Sequence, residues 1–327
     1  MSIHRRLALH LVAVLSCCAA AAGFLPAQSP QIHEYPIPTA NTQPEDITHI
    51  FSYAYFTESA VAKIGKIYAT GSVQEFATPT PNSRPAGIAA APDNSAVWFT
   101  EARVNKIGKM TTDGAMTEFP INNIYADPIG ITAGPDGNFW FTEFGGNNIG
   151  RITPDGTITE FPVPGVGPAT GNPELITTGP DGNLWFTLYN GNSIGRITPG
   201  GTVTTFPVPT PDSHPQGIVA GSDGNLWFTE HTGNKIGRIT PTGTIVELAI
   251  PTPNSVPDGI ALGLNGSALW FCEVQGNKIG NITFGTPAIT ETPIPTQNSA
   301  PVRIVLGPDG TPWFTQFNGN KIASISQ

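Results

Sequence analysis

The chain has 327 residues, a formal net charge of −9 and only 12% charged residues. Globular proteins carry about twice that share of charge, and the acidic balance disfavours a polyanionic partner, so no nucleic-acid target is expected. Glycine (37) and proline (33) are abundant but recur at fixed phase, which points to turn-rich repetition and away from disorder.

The N-terminus reads as a secretory signal over residues 1–27: Arg5 and Arg6, an apolar run from Leu7 to Leu15, then small residues through Ala22. Cleavage is expected after Ala22 or Ala27, leaving a secreted or periplasmic mature chain. Val14-Leu15-Ser16-Cys17 is an imperfect lipobox-like alternative that would leave a lipid anchor. No later stretch is long and apolar enough to span a bilayer as a helix.

From Tyr55 onward an anchor phrase appears seven times. Its copies start at Tyr55, Trp98, Trp140, Trp185, Trp227, Trp270 and Trp313, at spacings of 43, 42, 45, 42, 43 and 43 residues. Each repeat holds Asp-Gly or related turn signals, as in Pro180-Asp181-Gly182-Asn183, between short β-rich runs such as Leu226–Thr229 and Lys235–Ile239. Such turns favour tight hairpins. Four short strands at this period make a propeller blade, so the expectation is an all-β, seven-bladed β-propeller forming one domain over residues 28–327. The last repeat ends at Gln327 without an outer strand, whereas Gln31–Thr39 reads like an outer strand with no blade before it. The N-terminal strand is therefore expected to complete blade seven and close the ring, burying two edges. One tryptophan per blade at fixed phase implies packing between blades, not sugar stacking. Cys272 is the single cysteine beyond the signal and stands where the other anchors carry threonine. That position makes it a buried structural thiol and not a nucleophile.

Two loop sets should frame the axial mouth. One enters each inner strand at a Pro-x-Gly-Ile phrase, from Pro44-Glu45-Asp46-Ile47 to Pro301-Val302-Arg303-Ile304; the other follows each anchor, at positions such as Tyr189 and His231. The chemically capable residues there are Glu45, Asp46, Glu174, Tyr189, His231, Asp258 and Arg303. In the functional reading, Glu174 and Asp258 hold a metal or a substrate amine, His231 acts as base, and Tyr189, Asp258 and Arg303 contact substrate. In the structural reading, Glu45 or Asp46 pairs with Arg303 across the closure and His231 is a solvated loop residue. His33, His49 and His214 read as structural or solvated.

Gly179–Thr187, Asn234–Thr240 and Thr159–Pro162 closely resemble the repeat of the virginiamycin B lyase family, also called streptogramin B lyases. The resemblance covers essentially the whole mature chain. It implies a seven-bladed propeller and a Mg²⁺-dependent elimination that opens the ester-closed ring of streptogramin B antibiotics, and hence antibiotic resistance. In that chemistry a metal polarises the carbonyl and a histidine removes the neighbouring proton. The family's base lies in a Glu-Pro-His-Gly-Ile phrase entering the last blade, where this chain has Ala300-Pro301-Val302-Arg303-Ile304. Val302 thus stands for the base and Ala300 for a metal carboxylate. Gln316 and Phe317 stand near the second carboxylate, and Asp258 for a substrate-contacting histidine. Three readings follow: a lyase whose site has moved to Glu174, His231 and Asp258; a monomeric propeller that binds a small molecule or peptide without chemistry; and a lactonase-type metal hydrolase.

Overall fold

The computed structural model describes residues 30–326, apart from 69, 165–170, 286–287 and 308. The expected signal, with Cys17 and Cys18, lies outside the described residues. The described residues form seven four-stranded antiparallel sheets, one per repeat, so the seven-bladed propeller expected from the period is what the chain folds into.

Blade five shows how the repeat encodes its sheet. Its strands are Pro215–Ala220, Leu226–Glu230, Lys235–Ile239 and Ile245–Ala249, ordered from axis to rim. The first turn places Gly224 at φ +76°, a region that glycine enters without steric cost. Asp223 Oδ1 in that turn accepts the Asn225 N–H at 3.2 Å and the Trp227 indole N–H at 3.2 Å, fixing the ring that will face the next blade. The second turn places Asn234 at φ +54°. Its amide donates to the Ile250 and Thr252 carbonyls (3.4 and 2.9 Å), while its Oδ1 accepts the Ser255 N–H and hydroxyl (2.7 and 2.9 Å). One asparagine therefore ties the turn, the outer strand and the linker to the next blade.

Blade boundaries are apolar. Trp227 of blade five packs with Ile260, Leu269 and Phe271 of blade six, and Trp140 of blade three with Leu184 and Phe186 of blade four. The tryptophans are thus inter-blade packing, as their phase implied. The seventh sheet runs from the axis through Pro301–Leu306, Pro312–Gln316 and Lys321–Ser326 to the N-terminal Gln31–Pro36. Ile32 pairs with Ile325 and Tyr35 with Ile322, so the first strand closes the ring as expected.

Each inner strand carries a bulge inside its Pro-x-Gly-Ile phrase, as between Pro215 and Ile218. A bulge withdraws its residues from the ladder and leaves their backbone groups in need of partners. The anchor threonine supplies them. The Thr229 hydroxyl accepts the Gly217 N–H of its own blade at 2.8 Å and donates to the Asp258 carbonyl of the next blade at 2.7 Å. The same bridge is made by Thr57, Thr100, Thr142, Thr187 and Thr315. Blade six places Cys272 there, fully buried, with burial holding its thiol well above the ordinary range. Its structural reading stands.

Candidate functional site

The inner-strand bulges push their second and third residues to the axis, and the loops after the anchors surround them. Together they line a cavity of about 590 Å³ whose wall includes Glu45, Glu174, Gln216, Asp258, Val302 and Arg303 from the first set and Ser59, Arg103, Val274 and Phe317 from the second. A smaller cleft of about 300 Å³ between blades six and seven has Asp309 as its single charged side chain. The axial cavity therefore holds the chemistry.

Arg303 dominates its floor. Most blades carry glycine at this third position because a Cβ would strike the next blade: at Gly217 it would lie 2.3 Å from the Asp258 carbonyl oxygen. Blade seven makes room, since both hydrogen bonds of its bridging Thr315 lengthen to 3.1 Å. The Arg303 side chain is only 8% exposed; Nη1 donates to Asp258 Oδ1, and Nη2 lies 3.9 Å from Glu174 Oε1 across the axis. The pairing with Glu45 or Asp46 offered by the structural reading is not the one formed. Glu45 instead sits 3.9 Å from Arg84, which also reaches Asp127 at 3.7 Å, and Asp46 accepts the Ile47 and Ile88 backbone N–H groups at 2.8 and 2.9 Å.

The floor holds more carboxyl groups than guanidinium charge can neutralise. Burial pushes Glu174 up to about 7 and Asp46 up to about 6, in each case against the pull of Arg303. Burial raises Glu45 as well, opposed by Arg84 and Arg303. Near neutral pH the floor thus retains protons, which lowers its net charge.

His231 and Tyr189 stand beside this floor, with the Tyr189 ring 6.0 Å from the His231 ring and 4.6 Å from that of His214. Phe144 extends the aromatic wall 6.5 Å from Tyr189. Burial, then Arg303 and His214, depress the His231 pKa, so its imidazole is neutral at pH 7. Its Nδ1 is buried without a hydrogen-bond partner among the described residues. It is not the solvated loop residue of the structural reading.

The structure therefore gathers Glu174, Tyr189, His231, Asp258 and Arg303 into one sector of the mouth. Sequence reasoning missed Arg84 and Arg103, had Gln216 and Phe144 only as ring positions without a role, and read His214 as structural or solvated. Arg84 directly precedes Pro85 and Arg103 follows the anchor of its blade by one more residue than the position counted, so each lay one residue outside the rings drawn. No sequence signal singles out His214, whose φ of +48° recurs at the residue before proline in other linkers.

The sequence profile described as "Virginiamycin B lyase family" matches residues 27–167 and 165–327. The chain belongs to the virginiamycin B lyase family. A solved streptogramin B lyase is 40% identical with a TM-score of 0.86, over 91% of this chain and 97% of that one. The selenomethionine-substituted virginiamycin B lyase from Staphylococcus aureus is 41% identical with a TM-score of 0.86, over 91% of this chain and 99% of that one. A catalytically inactive histidine-to-alanine variant of the Staphylococcus aureus enzyme, solved with quinupristin, is 40% identical with the same TM-score and coverage. No curated protein matches the chain.

Membership in the virginiamycin B lyase family raises the question of Mg²⁺, and the donor set does not suit it. Ala300 and Val302 line the cavity without a donor side chain. Gln316 is fully buried and its amide nitrogen is committed to Glu34 Oε1 at 2.9 Å. Glu174 and Asp258 face a guanidinium, which repels a second cation. Among the described residues no group of three or more His, Cys, Asp or Glu is arranged to hold a metal ion. Mg²⁺ requires near-octahedral oxygen ligation, which these side chains do not offer.

Proposed function

We propose that this virginiamycin B lyase-like propeller is exported and binds a small molecule or peptide at its axial mouth without the family's metal-assisted elimination. The observation that carries this reading is Arg303, whose guanidinium is held by Asp258 and Glu174 on the axis where a metal-dependent site would need free carboxylates. Val302 at the base position cannot abstract a proton. What remains suits recognition: a cavity with both charge signs and Phe317 in its wall, with the Tyr189–His231 ring cluster beside its floor. The signal read at residues 1–27 supports export.

One observation favours a second reading, a lyase with a relocated base: His231 is neutral and has an unpartnered Nδ1 beside Tyr189. Chromatography with mass spectrometry of quinupristin incubated with the mature protein, with Mg²⁺ and with chelator, separates the readings. Unchanged quinupristin that still titrates heat into the protein is the expected result. A retention shift at unchanged mass would overturn the proposal, and its loss in His231→Ala would place elimination at His231. Addition of one water would indicate the lactonase-type hydrolase.

A further inference from the structure

Behind the loops that wall the mouth, a second set of titratable groups repeats around the ring. The second strand of five blades ends in a fully buried glutamate: Glu58, Glu101, Glu143, Glu230 and Glu273. Both carboxyl oxygens of Glu58, Glu101, Glu230 and Glu273, and one of Glu143, have no hydrogen-bond partner among the described residues. Buried oxygens of this kind call for a donor.

The group each one faces is a second glutamate, on the outer strand of its own blade. In blade five that partner is Glu247, whose carboxylate accepts three donors and keeps room for a fourth at Oε1. Lys235 Nζ donates to it at 2.8 Å, and the Thr210 N–H and hydroxyl of the preceding linker each donate at 2.9 Å. Lys106 and Thr80 hold Glu118 in the same way beside Glu101, and Lys278 and Thr252 hold Glu291 beside Glu273. Glu58 faces Glu75, with Lys63 3.6 Å from the latter. Glu143 faces Glu160, and blade three differs in that Asn148 and Asn123 each donate at 3.0 Å to Oε2 of the inner Glu143, while no lysine holds the outer glutamate among the described residues.

Blade seven shows what fills the gap. Its inner residue is Gln316, whose Nε2 donates to Glu34 Oε1 at 2.9 Å, while Lys321 and Thr296 hold Glu34 as their counterparts hold Glu247. Blade four dispenses with both members together, having Leu188 and Thr205 at the two positions. An inner polar partner is thus present wherever an outer glutamate is present, and in blade seven that partner is an amide donor.

We infer that the five inner glutamates are neutral carboxylic acids, each donating its proton to the outer glutamate of its blade, and that Gln316 is the permanent form of the same donor. Burial, reinforced by the neighbouring carboxylate, pushes Glu58 up to about 8 and Glu230 up to about 7, and burial likewise pushes Glu101, Glu143 and Glu273 up to about 7. The lysine and threonine bonds hold Glu118, Glu247 and Glu291 below their usual value, against the effect of burial. A pKa raised on folding means that the native state binds protons which the unfolded chain releases. The ring is therefore stabilised at mildly acidic pH and loses that stability as pH rises from about 4.5 through about 7–8.

The test is equilibrium unfolding of Glu101→Gln, Glu230→Gln, Glu273→Gln and the triple variant from pH about 5 to about 8. Glutamine keeps the donor and removes the proton, so the variant's folded-to-unfolded ratio relative to wild type should rise about tenfold per pH unit per replaced residue until the folded pKa is passed. The axial groups titrate equally in both proteins and cancel. The reverse change, Gln316→Glu, should make that ratio fall with pH by the same factor. A relative ratio independent of pH, or one that falls for the Glu→Gln variants, would show that the inner carboxyls are already ionised and overturn the inference. An isotope-edited infrared band of protonated carboxyl at neutral pH, weakened in the triple variant, is the confirming signature, and its absence would also overturn it.

Discussion

The threonine bridge makes a sharp prediction at the one blade that lacks it. In blades one to five and seven the hydroxyl joins an N–H of its own blade to a carbonyl of the next, with donor to acceptor distances between 2.7 and 3.1 Å. Cys272 makes no hydrogen bond among the described residues, so Gly259 N–H and the Val302 carbonyl lack the bridge found at every other boundary. Restoring the hydroxyl with Cys272→Thr adds two hydrogen bonds at a buried boundary, each worth about 1 kcal/mol net. The added methyl enters a packed cluster with Ile294, Phe314 and Ala323, which offsets part of the gain through crowding of about 1 kcal/mol. The expected net change is a stabilisation of about 1 kcal/mol, a rise in Tm of roughly 1.5–2 °C. The comparison that isolates the hydroxyl is Cys272→Val, which has the same shape without a donor and should lie about 2 kcal/mol below the threonine variant in denaturant unfolding. Equal midpoints for the two variants would refute the bridge as a stabilising contact, whatever the wild type does.

At the axis, Arg303→Met leaves Asp258 and Glu174 buried without their cation and should cost about 3–5 kcal/mol at pH 8. Because the orphaned carboxyls then hold protons more strongly, the deficit should shrink towards pH 5; an equal deficit at both pH values in urea unfolding would contradict this. Mg²⁺ at millimolar levels and EDTA should leave the Tm unchanged, as calorimetry would show, since the donor set does not form a metal site. Gly237→Ala would place a Cβ 2.1 Å from Phe228 Cζ and should lower stability by about 1–3 kcal/mol, whereas Ala323→Gly, at the position blade seven already fills with alanine, should cost about 1 kcal/mol or less. Thermal unfolding of the pair compares them directly.

The fold was legible because seven anchors in phase leave no other architecture that uses the turns, and because Gln31–Pro36 reads as an outer strand without a blade. The mouth was legible as two rings of loop positions. Its pairing was not. Arg303 and Glu174 are brought together by ring closure from blades seven and four, a relation that spacing along the chain does not contain. Asp258 lies one blade away, yet nothing in Pro257-Asp258-Gly259 indicates that its carboxylate leans towards the axis. His231 looked like an ordinary loop residue because the groups that act on it, Tyr189, His214 and Arg303, come from other loops and another blade. The glutamate pairs, by contrast, left a trace: blade four lacks the anchor glutamate and the outer glutamate together, a joint absence that a direct contact accounts for.

Closure of the ring by the N-terminal strand sets a timetable for synthesis. Gln31 and Ser326, joined by a hydrogen bond, are separated by 295 residues, so the first strand to leave the ribosome pairs with the last. Until then the innermost strands of blades one and seven lack each other, and the strand that ends at Pro36 has an unpaired edge. Blades can fold as they emerge, but the circle cannot lock before Lys321–Ser326 has been made. Until that strand is free to reach Gln31–Pro36 the ring stays open, and it becomes rigid only when the two pair.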